Sequence, residues 1–220
     1  MEIYDSEEAQ VEALKRWWKE NGQSTLIGLV LGVAIILGWN FWQDHKKSQA
    51  AEASAIYSEL LLALTGDKQD TVLKLAERLK AEYPKTEYAV YGQLVLAKSK
   101  VQQGDLAVAK TILTEVGNGS SNELSNVAKL RLVRLMLASG EYEQGLALIN
   151  AIDPATSDSF SGNYDELVGD LYVALDRLDQ ARSSYQKALE SGYRSALLQI
   201  KIDDLTASEK VAVQNLQTGK

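Results

Sequence analysis

The side chains that could support catalysis are few and scattered along the chain. The single histidine, His45, has no partner ligands or nucleophile near it in the sequence, and the chain contains no cysteine. Two pairs of adjacent acids, Glu7-Glu8 and Asp203-Asp204, are typical of solvated helix ends. The sequence has no phosphate-binding glycine loop, zinc-ligand spacing or nucleophilic-serine turn. We therefore predict that the protein is not an enzyme and has no catalytic, cofactor-binding or metal-binding residues.

Composition narrows the function classes further. The formal net charge is −7 at pH 7, whereas a nucleic-acid-binding protein needs a basic surface that neutralises phosphates. Without cysteine, thiol catalysis, disulfides and thiolate metal sites are excluded. Only two prolines occur in 220 residues, and Ala, Leu, Glu, Lys and Gln are abundant. These features predict an all-α protein that does not bind nucleic acid.

One uncharged stretch, residues 21–43, is long enough to cross a membrane. As a helix its apolar centre, residues 26–42, would measure about 25 Å, close to the roughly 30 Å hydrocarbon layer of a bilayer. Tryptophan favours the headgroup level, and all four tryptophans lie at the borders of this stretch: Trp17, Trp18, Trp39 and Trp42. We interpret residues 21–43 as a transmembrane anchor and residues 1–20 as a leader helix.

A buried core helix and a cleaved signal peptide are the two alternatives to an anchor. A core helix seldom runs this long without charge. A signal peptide has an apolar region of about 7–15 residues behind a short basic segment. The leader here instead carries six acids: Glu2, Asp5, Glu7, Glu8, Glu12 and Glu20. The flanking cations slightly favour a cytoplasmic N-terminus, with Lys15, Arg16 and Lys19 before the span against Lys46 and Lys47 after it.

Within the span, Gly28 and Gly32 form a GxxxG motif. Small residues at this spacing let two helix backbones approach closely in lipid, so the motif predicts packing against a second membrane helix. The alternative is that glycines are simply frequent in spanning helices.

After the anchor the sequence repeats. Turn signals at Gly104, Gly140 and Asp176 are 36 residues apart, and an earlier one lies at Gly66. A fixed period of this size indicates a helical solenoid. The C-terminal repeat matches the spacing of the tetratricopeptide repeat at Gly169, Tyr172, Ala181, Tyr185 and Ala188.

We predict a tetratricopeptide-like repeat domain over residues 44–205 and a tail over residues 206–220. Its four units cover about 53–86, 90–123, 126–159 and 162–195. Turn-rich connections are expected at residues 117–122 and 153–162. A final helix over residues 193–205 is expected to cap the last unit.

In this repeat family the first helix of each unit lines a concave face. The corresponding positions predict a partner-binding groove formed by Tyr57, Leu61, Leu64, Tyr91, Leu94, Lys98, Val101, Val127, Leu130, Arg134, Leu137, Asn163, Glu166, Asp170 and Val173. We expect this groove to be apolar and aromatic near the membrane and acidic at its far end. Such a surface would suit a helix or an apolar segment with a basic end. The alternative is that several of these leucines pack between units.

The complete layout resembles one bacterial family. The opening residues MEIYDSEEAQVEALKRWWKENG, the single span, and repeats containing AEYPKTEYA (residues 81–89) are similar to the YfgM family, the ancillary SecYEG translocon subunits of Gram-negative bacteria. The resemblance implies an inner-membrane protein with a cytoplasmic N-terminus and periplasmic repeats. It also implies association with SecYEG and with the periplasmic chaperone PpiD, and transfer of emerging client polypeptides to the periplasmic chaperone network.

A regulatory function is the alternative that the sequence leaves open. In that case the repeats or the acidic leader would hold a stress-response protein, such as a cytoplasmic response regulator, at the membrane. Deletion of residues 2–14 would separate the two hypotheses, because export contacts should survive it and cytoplasmic sequestration should not.

Overall fold

The computed structural model describes residues 7–205, with side chains from residue 10 onward. Within that range the chain is mostly helical and contains no strand. The chain divides into two units, Met1–Glu52 and Ala53–Lys220. The predicted tail, residues 206–220, and the first six residues of the predicted leader lie outside the described residues.

The helices follow one another with short connections. Their bounds are α1 Glu7–Thr65, α2 Gln69–Glu82, α3 Glu87–Gln102, α4 Leu106–Gly119, α5 Asn122–Ala138, α6 Tyr142–Asn150, α7 Pro154–Ser157, α8 Ser161–Ala174 and α9 Leu178–Glu190. A single 3₁₀ turn, Asp158–Phe160, links α7 to α8. A last helical stretch, α10, covers residues 198–205.

The first unit consists of the N-terminal part of α1, which carries the predicted anchor. The most apolar 18-residue window of this helix has a mean hydropathy of 1.9, and none of that window is buried in the protein. A core helix would be covered by other parts of the chain, whereas large apolar side chains such as Leu29, Ile35 and Leu37 are exposed here. By length and composition, α1 is the one helix in the described part of the chain that could cross a membrane.

The second unit is a stack of helical hairpins. Residues 53–65 of α1 share a hydrophobic core with α2, α3, α4 and α5, and a second core joins α5 and α6 to α8. Three positions that match the repeat spacing, Ala181, Tyr185 and Ala188, are buried. Helices α2 and α4 also bury apolar side chains: Val72, Ala76, Leu79, Ala109, Leu113 and Val116. The architecture is therefore the predicted tetratricopeptide-like α-solenoid.

The turns repeat as closely as the helices do. Gly104, Gly140 and Asp176 all have positive φ, at 80°, 79° and 57°. After each of them a backbone N–H reaches back five residues, as in the bond from Arg177 N to the Tyr172 carbonyl at 2.8 Å. This left-handed helix ending satisfies otherwise unpaired carbonyls and turns the chain back on itself.

Two of the predicted connections are more helical than expected. Helix α4 continues to Gly119, so only two residues separate it from α5. Residues 154–157 form α7 because the Asp153 carboxylate accepts a hydrogen bond from Ala155 N at 2.9 Å and Pro154 occupies the first turn. Residue types that favour turns also cap helices, so the composition of these segments did not distinguish a turn from the start of a short helix.

The expected final helix over residues 193–205 is shorter than predicted. Gly192, at φ 80°, ends the turn after α9, and residues 193–197 are not helical. Residues 198–205 then form α10, whose Leu198 and Leu205 pack with Tyr185 of α9. This helix covers the end of the last hairpin, as the capping prediction required.

Candidate partner-binding groove

An open depression in the repeat domain lies between α3 and α5. It has a volume of about 470 Å³ and is lined by Leu94, Ala97, Lys98, Val101, Leu113, Arg131, Arg134, Leu135 and Ala138. This α3–α5 groove brings together four residues of the groove predicted from the sequence: Leu94, Lys98, Val101 and Arg134. Ligand clefts in proteins are typically about 300–1,000 Å³, so its size suits a few side chains of a partner.

Helix geometry explains why these side chains meet. On α3 the lining residues are 94, 97, 98 and 101, and on α5 they are 131, 134, 135 and 138. Both sets follow the spacing that places side chains on one face of an α-helix. Helix α4 packs against both helices, and its buried Leu113 contributes to the lining. Two equivalent helix faces in successive repeats therefore form the walls.

The charge of the α3–α5 groove has one sign. Lys98, Arg131 and Arg134 are exposed at its edge, and no acidic side chain lines it within the part of the chain that the structure describes. Among residues 10–205 none of these three cations forms a salt bridge. The groove is therefore an apolar surface with a basic rim.

Three cations elsewhere in the domain pair with acids of a neighbouring repeat. Lys80 Nζ lies 2.9 Å from the Glu115 carboxylate, and Arg177 Nη2 lies 2.5 Å from Glu143 Oε1. Lys110 pairs with Glu141 in the same way. Lys98, Arg131 and Arg134 differ from these three cations, because among the described residues no salt bridge holds them.

A tyrosine cluster lies on the same face of α3, one turn before Leu94. The ring centroids of Tyr57 and Tyr91 are 5.9 Å apart, and Tyr88 lies 5.7 Å from Tyr57 and 5.9 Å from Tyr91. The Tyr91 hydroxyl donates a hydrogen bond to Glu87 Oε2 at 2.9 Å, and this bond raises the pKa of Tyr91. The sequence prediction missed Tyr88, although its spacing of three residues from Tyr91 placed both on one helix face.

The remaining apolar positions of the predicted site differ in accessibility. Leu61 is exposed and Val127 is half-buried against the first hydrophobic core. Leu130 is buried in the second core, where it packs among residues of α6 and α8. A partner could reach Leu61 directly but not Leu130.

The acidic end of the predicted groove is filled by the chain's own C-terminal segment. Lys201 Nζ of α10 lies 2.9 Å from Glu166 Oε1 and 2.7 Å from Asp170 Oδ1. The hydroxyl of Tyr193 donates to Glu166 Oε2 at 2.9 Å, and that of Tyr185 donates to Asp170 Oδ1 at 2.7 Å. These two carboxylates therefore stabilise the cap, and the expected free acidic surface is not present.

The protonation states of this cluster follow from its contacts. Burial by itself would raise the pKa of Glu166, which is only 8 % exposed, but hydrogen bonds from Lys201 and Tyr193 outweigh burial and lower it. Burial would lower the pKa of Lys201, and its bonds to Asp170 and Glu166 raise it instead. Both shifts favour the charged forms, so the ion pair is stable at neutral pH.

Known proteins resemble this chain over almost its whole length. Residues 15–207 match the tetratricopeptide repeat-like domain family. A Haemophilus influenzae protein named ancillary SecYEG translocon subunit is 32 % identical over 84 % of this chain and 90 % of its own length. An Escherichia coli protein of the same name is 30 % identical over 94 % of this chain and 100 % of its own. This chain belongs to the ancillary SecYEG translocon subunit family.

A more distant member of the ancillary SecYEG translocon subunit family, from Neisseria gonorrhoeae, is 26 % identical over 93 % of this chain. No solved structure matches the chain. The family is of a non-catalytic kind, and its tetratricopeptide repeat-like domain is typical of protein–protein interaction. Residues that the structure describes include no cluster of three or more His, Cys, Asp or Glu that could hold a metal ion.

The sequence prediction missed five residues that line the groove: Ala97, Leu113, Arg131, Leu135 and Ala138. Arg131 is one helical turn from Arg134, and Leu135 and Ala138 continue the same face. A search for cations at helical spacing beside apolar positions would have found Arg131.

Proposed function

We propose that this protein is an ancillary subunit of the SecYEG translocon that binds other polypeptides through its repeat domain. The observation that carries the proposal is the alignment with the E. coli ancillary SecYEG translocon subunit, which covers 94 % of this chain and all of that protein. The alignment includes the apolar part of α1 as well as the repeats, so the similarity covers both the proposed anchor and the proposed binding domain.

The proposal includes a position in the bacterial inner membrane. Residues 21–43 would cross it once, with the leader in the cytoplasm and the repeat domain in the periplasm. The exposed apolar surface of α1 supports insertion, and the flanking lysines and arginines support this orientation. The repeats would then lie on the side where exported chains emerge.

The partners in this proposal are the translocon, the chaperone PpiD and emerging client polypeptides. The α3–α5 groove and the tyrosine cluster of Tyr57, Tyr88 and Tyr91 are the surfaces that could hold them. Aromatic and apolar surfaces bounded by charged residues are common in protein interfaces. The protein would act by binding and would need no catalytic group.

Co-purification tests the association. The full chain carrying a C-terminal affinity tag should be produced from its own promoter, extracted in a mild detergent and recovered together with SecYEG. A single-span membrane protein expressed at the same level serves as the control. Recovery of SecYEG at the control level would overturn the proposal, as would release of the chain from membranes by carbonate.

Protease access tests the orientation. In intact spheroplasts an added protease should digest the repeat domain and leave a fragment that contains the leader and the span. A repeat domain that becomes sensitive only after lysis would reverse the proposed topology.

A regulatory function is the second candidate, favoured by the six acids of the leader. In this alternative the leader holds a stress-response regulator at the cytoplasmic face. Deleting residues 2–14 should then release the regulator into the soluble fraction and leave SecYEG recovery unchanged. If the regulator's distribution does not change, the alternative is wrong.

A further inference from the structure

We propose that the α3–α5 groove binds an apolar polypeptide segment that carries carboxylates. This proposal rests on the proposed function, because it specifies the chemistry of the partner that the repeats hold. It also reverses the sequence-based expectation, which assigned a basic end to the bound segment.

The floor of the groove favours apolar side chains. Leu94, Leu113 and Leu135 contribute to it and are buried against the core, so their positions are held by packing and not by the ligand. Val101 and Ala138 widen the same surface toward solvent. A leucine or phenylalanine of a partner that packs here would be removed from water, and so would the exposed side chains of Val101 and Ala138.

The rim favours negative charge. Lys98 stands on one wall, and Arg131 and Arg134 stand on the other, so cations flank the apolar floor on both sides. Arginine binds carboxylates well because its planar guanidinium can donate two parallel hydrogen bonds. Among the described residues these cations have no salt-bridge partner, so a bound carboxylate would not have to displace one.

The acidic cluster on α8 does not compete for a basic partner. Glu166 and Asp170 are already bound to Lys201, and tyrosine hydroxyls occupy further carboxylate oxygens. A basic segment would have to displace α10 to reach them, at the cost of these bonds. The charge that the repeat domain presents at its apolar groove is therefore positive.

A pair of matched peptides tests the charge preference. The full chain in nanodiscs should be titrated, by fluorescence anisotropy, into a labelled peptide of alternating leucine and glutamate and into the same peptide with glutamine in place of glutamate. We expect the glutamate peptide to bind about five- to tenfold more tightly at low salt. Raising the salt concentration should reduce this difference, because the rim is exposed. Equal affinity of the two peptides would overturn the proposal.

Two double variants locate the effect. Arg131→Gln with Arg134→Gln should remove most of the preference for glutamate. Lys74→Gln with Lys85→Gln changes the net charge by the same amount at exposed positions away from the groove, and it should keep the preference. Equal losses in both variants would show that net charge and not the groove selects the peptide, which would contradict the proposal.

Photo-cross-linking identifies the surface directly. Val101 lines the groove and Val108 lies on α4 outside its lining, and both are 40 % exposed. A photoreactive amino acid at residue 101 should capture the glutamate peptide, whereas the same group at residue 108 should not. Capture at residue 108 in preference to residue 101 would overturn the proposal. If SecYEG still co-purifies in that case, only the peptide preference fails and the proposed function survives.

Discussion

At the scale of single residues, small side chains set how closely the helices of a hairpin approach. Gly169 of α8 lies against the ring of Tyr185 on α9, and a Cβ atom at residue 169 would overlap that ring. Tyr185 is only 2 % exposed and its hydroxyl is bound to Asp170, so the ring has little room to move. The Gly169–Tyr185 contact is thus the physical reason for the repeat spacing that the sequence showed.

The Gly169→Ala substitution should destabilise the repeat domain. We expect a loss of about 1–3 kcal/mol in the free energy of unfolding, because an added methyl group in a packed interface forces its neighbours to shift. Thermal unfolding followed by circular dichroism would measure it. Gly119→Ala is the control, since a Cβ at residue 119 meets no atom within 4 Å. Equal melting temperatures for the two variants would contradict the packing argument.

At the scale of elements, α10 is held to the last hairpin by one lysine as well as by its apolar face. Lys201 binds Glu166 and Asp170 across 35 and 31 residues of sequence. Leu198 and Leu205 bury the apolar side of the same helix against α9. The ion pair therefore fixes the position of a helix whose apolar contacts alone are few.

The Lys201→Met substitution should loosen this cap. It leaves the Glu166 and Asp170 carboxylates without a cation, and we expect a loss of about 1–3 kcal/mol in stability. Relative to the unmodified chain, amide hydrogen exchange should become faster in residues 198–205 by a larger factor than in α3 or α4. Lys85→Met, at an exposed turn position, is the control and should leave exchange unchanged. Unaltered exchange in the Lys201 variant would contradict the assigned role of the lysine.

The contribution of this ion pair should depend on pH in a defined direction. The pKa of Glu166 is lowered from its usual 4.5, so its stabilisation is present above about pH 4.5 and is lost as the pH falls further. The pKa of Lys201 is raised from 10.5, so its stabilisation is present below that value and is lost as the pH rises through the higher folded-state pKa.

The difference in melting temperature between the unmodified chain and Lys201→Met should be constant near neutral pH and shrink in acid. Asp165, whose pKa is raised by burial, is present in both proteins, so its titration cancels in the difference. A difference that does not shrink at any acidic pH at which both proteins are still folded would contradict stabilisation by the charged Glu166 carboxylate.

At the scale of the whole molecule, the proposed function combines a membrane anchor and a binding domain in one chain. The candidate anchor has an uncharged apolar surface, and three hydrophobic clusters stabilise the repeat domain. The proposed function needs both, because repeats released from the membrane would no longer be held beside the translocon.

Two arginines in the span should prevent stable insertion. Each of Leu31→Arg and Ile35→Arg should cost about 2.5–3.5 kcal/mol near the centre of a membrane helix. The double variant should therefore appear in the carbonate-soluble fraction and lose SecYEG on purification. The control is the same pair changed to alanine, which should remain in the membrane. If the arginine variant fractionates like the control, residues 21–43 are not the anchor.

Local patterns in the sequence were enough to predict the candidate membrane helix, the turns and the packing positions of the last hairpin. The absence of charge over residues 21–43 can be recognised directly in the sequence. The glycines and Asp176 at the helix ends are also local signals, because they depend only on neighbouring residues. Only the tertiary structure showed that Lys201 fills the acidic end and that Lys98, Arg131 and Arg134 surround an apolar groove. These arrangements join residues more than thirty positions apart, and their register depends on how whole helix faces pack, which no short stretch of sequence specifies.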